Sequence, residues 1–263
     1  MSGEHVWSSW VGGLFGEGPG KYTFRRFGQG GLQQRGPLIR EWKSNEINLK
    51  ANVVCEPCNN GWMSTVENDR AKPTLRDMVL SSNEVSLLPN GIKSVVEFTF
   101  LKAVVADHMN TKRAPFFTRR QRLQFRNDRQ VPASVQVWIG RFLDRGRRGN
   151  FSTYYCTMKD TDFAGFEFYV FTYVINFVVL QLTAMRWPSI VKDPPIDPRG
   201  FPYPKFIEPR LFQERIWNEA SEPMWPSNAR AVHWPPAKLL NAAALDAFTF
   251  RWQKLKVGSI PRF

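Results

Sequence analysis

The sequence predicts an α+β protein, and three stretches carry that prediction. Val135–Phe142 and the strand-like residues of 151–187 are dense in Val, Phe, Tyr and Thr, the composition of a mainly antiparallel, buried sheet. Ser94–Met109 places Val95, Phe98, Leu101, Val104 and Val105 at helical spacing. Nearer the start, short strand-like segments lead straight into Cys55-Glu-Pro-Cys58, after which helical spacing resumes. Strands and helices are therefore segregated rather than alternating, and two units are expected: a small module over 1–82 and a mixed α/β domain over 83–263, divided in the polar connector Ser81–Lys93.

The Gly-rich residues 1–35 read as irregular loop with a short strand around Lys21–Phe27; Leu38–Lys43 and Ile47–Val54 read as two further strands. Asn59-Asn60-Gly61 is a turn signal, and from Ser64 an amphipathic helix is expected to about Leu80, kinked or restarted at Pro73. Thr118 is placed to cap a basic helix ending near Asn127. Phe166–Met185 is long enough to span a membrane, but Glu167, Asn176, Gln181 and its β-branched content favour one long or two consecutive buried strands. Pro188–Pro236 reads as loop, and Ala237–Lys256 as a closing helix.

At 263 residues, 43% hydrophobic and 14% aromatic, the chain can bury a core, which excludes wholesale disorder. Three cysteines exclude a disulfide-built secreted scaffold, and no basic segment precedes an apolar run at the N-terminus, so a reducing, cytoplasmic setting is expected. The net charge of +13 and pI near 10 favour a polyanionic partner. Between Lys112 and Arg148 eleven Lys or Arg stand against two Asp, supplying most of that charge. Arg119, Arg122 and Arg126 share one face of the expected helix, with Arg120 beside them and Arg145, Arg147 and Arg148 in the turn that follows Phe142. These arginines are the candidates for phosphate contact, the alternative being a solvated face balanced by scattered acids.

Cys55 and Cys58 have the spacing of half a tetrahedral zinc site, two thiolates able to turn toward one ion on a tight knuckle. With Glu4-His5-Val6 upstream and Asn59 directly after, the constellation resembles the HNH, or ββα-metal, endonucleases, and most of all the branch containing phage-type recombination endonucleases. The fuller string Cys55-Glu-Pro-Cys-Asn-Asn-Gly-Trp-Met-Ser-Thr-Val-Glu67 is also similar to HNH-related bacterial proteins of unassigned role. The motif covers about the first 75 residues.

The resemblance implies a ββα-metal, treble-clef-like module that hydrolyses phosphodiester bonds in DNA. His5 would be the general base; Glu4 and Asn59 would hold one Mg²⁺ or Mn²⁺; Cys55 and Cys58 would hold structural zinc. Glu67 and Asn60 would stand behind these ligands, or serve only as a helix-surface charge and a turn residue. Zinc sites of this branch take four cysteines, with the first pair shortly before the acidic residue and His. Only three residues precede Glu4 here, so that pair is expected upstream of Met1, or else Cys156, His108 or His233 completes the site, or zinc is lost. A zinc-knuckle protein that binds nucleic acid without cleaving it is the alternative function.

Overall fold

The longest apolar stretch of the sequence builds the centre of the fold. In the computed structural model, which describes residues 2–15, 22–27, 38–45, 50–80, 84–109, 114–142, 149–157, 167–186, 221–225, 232–234 and 239–240, this stretch forms a strand pair, as its β-branched and aromatic content predicts. The strands are β8 (Glu167–Ile175) and β9 (Val178–Arg186). Asn176 and Phe177 make the tight turn between them, with Asn176 in the left-handed region at φ 48°, which its short polar side chain tolerates. The Asn176 amide also donates to the Val79 carbonyl at 2.7 Å, tying the hairpin to a helix end.

Two more strands complete an antiparallel sheet: β6 (Val135–Phe142) beside β9 and β7 (Gly149–Thr157) beside β8. The free edge of β6 is lengthened by β10 (Ser221–Trp225), antiparallel, and by β12 (Leu239–Leu240), parallel. The registers align side chains in rows across the sheet, such as Val137–Leu182–Phe171 and Ile139–Leu180–Tyr173. These rows lie in the hydrophobic core, against α4 (Pro89–His108). The opposite row Trp138–Gln181–Thr172 is also buried, and there the Gln181 amide donates to the Thr172 hydroxyl at 2.8 Å. Among the described residues no helix is long and apolar enough to cross a membrane.

Helix α4 begins at Pro89, where the missing amide hydrogen costs no helical bond, and is buried continuously from Ser94 to Ala103. Buried residues from Val6 to Trp234 form one hydrophobic cluster around it. The expected boundary at 82/83 lies outside the described residues.

The N-terminal residues depart from the expected loop. Ser2–His5 is a strand, β1, and Ser9–Phe15 a short helix, α1. Val6, Trp7, Trp10 and Val11 are buried, so apolar packing overrides the loop signal of Gly12-Gly13. As expected, strands form at Tyr22–Phe27 (β2) and Leu38–Ser44 (β3), here paired antiparallel, and at Lys50–Val54 (β4). β4 pairs with β1, and β5 (Val85–Leu87) pairs with β11 (Val232–Trp234) inside the expected loop. The closing helix expected from Ala237 is corrected at Leu239–Leu240, which extend the sheet along β6; the rest of that stretch lies outside the described residues.

Candidate functional site

β4 runs directly into Cys55, whose backbone is still extended (φ −80°, ψ 148°) and which caps the following helix. Its Sγ accepts the Cys58 N–H at 3.3 Å, and its carbonyl accepts the Asn59 N–H at 2.9 Å. Pro57 fits the first turn of α2 (Glu56–Cys58), where no helical N–H bond is due. The Cys55 and Cys58 sulfurs meet as a disulfide, with Cα atoms 5.2 Å apart. The turn expected at Asn59-Asn60-Gly61 is met only at Gly61: Asn59 and Asn60 have helical backbone and Gly61 does not. Wide, i→i+5 turns run over Asn59–Met63 and Thr65–Ala71 before α3 (Lys72–Leu80) resumes regular geometry. Gly61, at φ −98° and ψ −112°, kinks the rod. Wide turns of this kind often mark functional positions. Asn59 is half-buried in the first turns and Asn60 exposed.

Glu4 and His5 lie on β1, opposite Ala51 and Lys50 respectively, so β4 alone separates their strand from the capping cysteine in pairing order. At about 3.3 Å per residue, His5 stands opposite a position some 16 Å along β4 from Cys55. The backbone just past His5 is fixed. Val6 is buried and its carbonyl accepts the Tyr173 hydroxyl at 3.0 Å, while Trp7 packs edge-on to Phe151 and stacks on Tyr173.

Glu67 is 7% exposed and forms an ion pair with the fully buried Lys102 ammonium of α4. The next turn repeats the arrangement: Arg70 contacts Glu97 at 2.6 Å, with Glu97 1% exposed. Burial raises the Glu97 carboxyl above the usual range, against the pull of Arg70, Lys93 and Arg129. The sequence offered one signal for these pairs, namely that Glu97 and Lys102 are charges inside an apolar helical run.

The basic helix forms as predicted. α5 (Arg119–Asp128) starts at Thr118, whose hydroxyl accepts the Gln121 N–H at 3.2 Å while the Gln121 side chain accepts the Thr118 N–H at 2.9 Å. Phe125 turns inward against Phe100 and Trp62. Arg129, left-handed at φ 57°, ends the helix and lays its guanidinium over the Trp62 ring at 4.7 Å. Trp62 thereby joins the helix carrying Asn59 to α5.

The expected Arg119, Arg122, Arg126 face is divided. Arg122 is half-buried and donates to His108 Nε2, leaving His108 Nδ1 to donate to the Val104 carbonyl at 2.9 Å. Arg119, Arg120 and Arg126 stay exposed, their side chains making no ion pair with a described residue. With both ring nitrogens engaged, His108 is committed away from the cysteines. His233 sits on β11 opposite Ser86, and Cys156 on β7 opposite Phe168. Among the described residues no three His, Cys, Asp or Glu side chains gather as a metal site. Arg145, Arg147 and Arg148 lie outside the described residues.

No family model matches the chain, and neither the curated proteins nor the solved structures contain a match.

Proposed function

We propose that the chain is a metal-dependent endonuclease of the HNH, ββα-metal kind, hydrolysing phosphodiester bonds in DNA. One observation supports this most directly. The strand carrying Glu4-His5 pairs antiparallel with β4, and β4 passes without a loop into the Cys55-capped helix carrying Asn59. We read these paired strands and the helix after the second as the elements of a ββα unit, with α1 and the β2–β3 hairpin lying between the strands in sequence.

In this proposal a His5 ring nitrogen takes the proton from the attacking water, a task suited to a side chain that titrates near neutrality. The new P–O bond forms as the bond to the 3′-oxygen breaks. Glu4 and Asn59 present hard oxygen donors, which fit Mg²⁺ or Mn²⁺ bound by few protein ligands; such an ion supplies charge stabilisation for the pentacovalent phosphate. Asn60 and Glu67 stand behind them in sequence, and the Lys102 partnership gives Glu67 the work of fixing its helix against α4. Cys55 and Cys58, reduced, offer two converging sulfurs to a structural zinc ion that would lock the helix start.

Purified protein is expected to nick supercoiled plasmid in Mg²⁺ or Mn²⁺, and His5→Ala to abolish nicking while leaving DNA retention on a gel intact. Undiminished nicking by that variant removes His5 from the mechanism. The alternative, a zinc-knuckle nucleic-acid binder without cleavage, is favoured by α5, whose exposed arginines stand on an element separate from β1. It predicts binding with no nicking in any divalent ion.

A further inference from the structure

Cys55 follows β4 directly and Cys58 closes α2, so strand and helix join across this pair. The sulfurs meet as a disulfide, and the Cα separation of 5.2 Å lies inside the range that such a bond spans without backbone movement. Local bonds set that separation. The Cys58 N–H donates to Cys55 Sγ, the Asn59 N–H donates to the Cys55 carbonyl, and Pro57 fixes a backbone dihedral between the two cysteines. The sulfurs differ in access: Cys55 is exposed, whereas Cys58 is half-buried and packs against the hydrophobic core. Among the described residues no further His, Cys, Asp or Glu side chain joins them in a metal site, and His108 is engaged by Arg122 and the Val104 carbonyl.

We infer that Cys55 and Cys58 are a thiol–disulfide exchange site for small disulfides of the glutathione class, and that oxidation of the pair excludes zinc from it. Cys55, within reach of solvent, reacts first. Its thiolate attacks one sulfur of the small disulfide; that S–S bond breaks, one small thiolate leaves with the bonding electrons, and Cys55 is held as a mixed disulfide. The Cys58 sulfur, already beside it, gives its proton to water and attacks Cys55 Sγ, expelling the second small thiolate. The protein has then lost two electrons and two protons, and the small disulfide has become two thiols. Excess small thiol reverses both steps. Zinc takes cysteine sulfur as thiolate, and a sulfur bonded to sulfur has no such charge to give. The exchange is independent of the nuclease proposal; its competition with zinc rests on the structural role given there to the two thiolates.

The test is a redox titration of the full chain, folded and in urea, across buffers of varied glutathione to glutathione-disulfide ratio. Samples are quenched with acid, labelled with N-ethylmaleimide in denaturant and measured by intact mass. Of the three cysteines, all should carry label at the reducing end and Cys156 alone at the oxidising end, in a single step. Because the fold holds the pair at bonding distance, the folded disulfide should resist reduction about tenfold more than the unfolded one. Cys58→Ser should stop at a mixed disulfide on Cys55, and Cys55→Ser should form one on Cys58 about tenfold more slowly. Zinc loaded on the reduced chain should pass to a chromophoric chelator in proportion to the labels lost. Equal folded and unfolded midpoints, mixed disulfides in place of the paired loss, or involvement of Cys156 overturn the exchange site. Zinc retained by the oxidised chain overturns the exclusion. Failure of the reduced chain to take zinc overturns the competition and leaves the exchange standing, and absence of plasmid nicking counts against the nuclease proposal alone.

Discussion

The β8–β9 hairpin and the kinked helix from Glu56 to Leu80 both pack against α4, by opposite means. The hairpin presents rows of apolar side chains, buried on both faces of the sheet, and its polar pairing is the buried Gln181–Thr172 hydrogen bond, the Tyr169 and Tyr173 hydroxyls on backbone carbonyls, and a part-buried Arg186–Glu167 ion pair at the strand ends. The helix packs against α4 with Val66, Ala71 and Leu75 buried, but also through two ion pairs, Glu67–Lys102, which is buried, and Arg70–Glu97, whose carboxylate is buried and whose guanidinium is partly exposed. Apolar rows tolerate small shifts in register height. Buried charges do not, because a displaced partner leaves an uncompensated charge out of water. The sheet is thus held by bulk burial, and the helix that bears Asn59 is held at one particular height and rotation.

Removing one charge should separate the two modes most sharply. Lys102→Ala leaves the Glu67 carboxylate buried without its partner and is expected to cost about 3–5 kcal/mol in denaturant unfolding. Replacing the pair together, Glu67→Leu with Lys102→Met, should recover most of that loss. A double variant as unstable as Lys102→Ala would mean that packing, not charge, holds the helix. In the sheet, Leu182→Ala should cost about 2–5 kcal/mol through the cavity it leaves in a row shared with Val137 and Phe171, with no rescue by any charge change.

The smallest expected effect depends on pH. Burial raises the folded-state pKa of Glu97 above its ordinary 4.5. A carboxyl raised on folding favours the native state fully below its unfolded pKa and loses that contribution as pH climbs through the folded value. Stability attributable to Glu97 should therefore fall as pH rises from about 4.5, and Glu97→Gln should flatten that part of the profile. An unchanged slope in denaturant midpoint against pH would remove Glu97 as its source.

The same contrast governs what could be read beforehand. β6, β8 and β9 were legible because composition and burial agree residue by residue, and α5 because Thr118 and Gln121 form a local cap. The turn expected at Asn59-Asn60-Gly61 appears only as the kink at Gly61: Cys55 caps a helix already under way, so Asn59 and Asn60 are helical. Strand β1 and helix α1 hide in a Gly-rich segment because Val6, Trp7, Trp10 and Val11 gain their burial from distant parts of the chain. Of the site residues, the Cys55–Cys58 knuckle at the end of a strand is legible from spacing, whereas Asn59, read as turn, joins a helix because Cys55 caps it. The commitment of Arg122 to His108, and of Glu67 to Lys102, could not, since both partners arrive through tertiary packing.

The hydrogen bond from Tyr173 to the Val6 carbonyl joins residues 167 positions apart. It gives the molecule an order of assembly. During synthesis the strand bearing Glu4 and His5 leaves the ribosome well before its anchor on β8, which follows 167 residues later. At roughly 5–20 residues per second, that wait lasts roughly 8–33 seconds. Any activity requiring His5 to be held in place is therefore withheld from the nascent chain until the sheet exists to receive it.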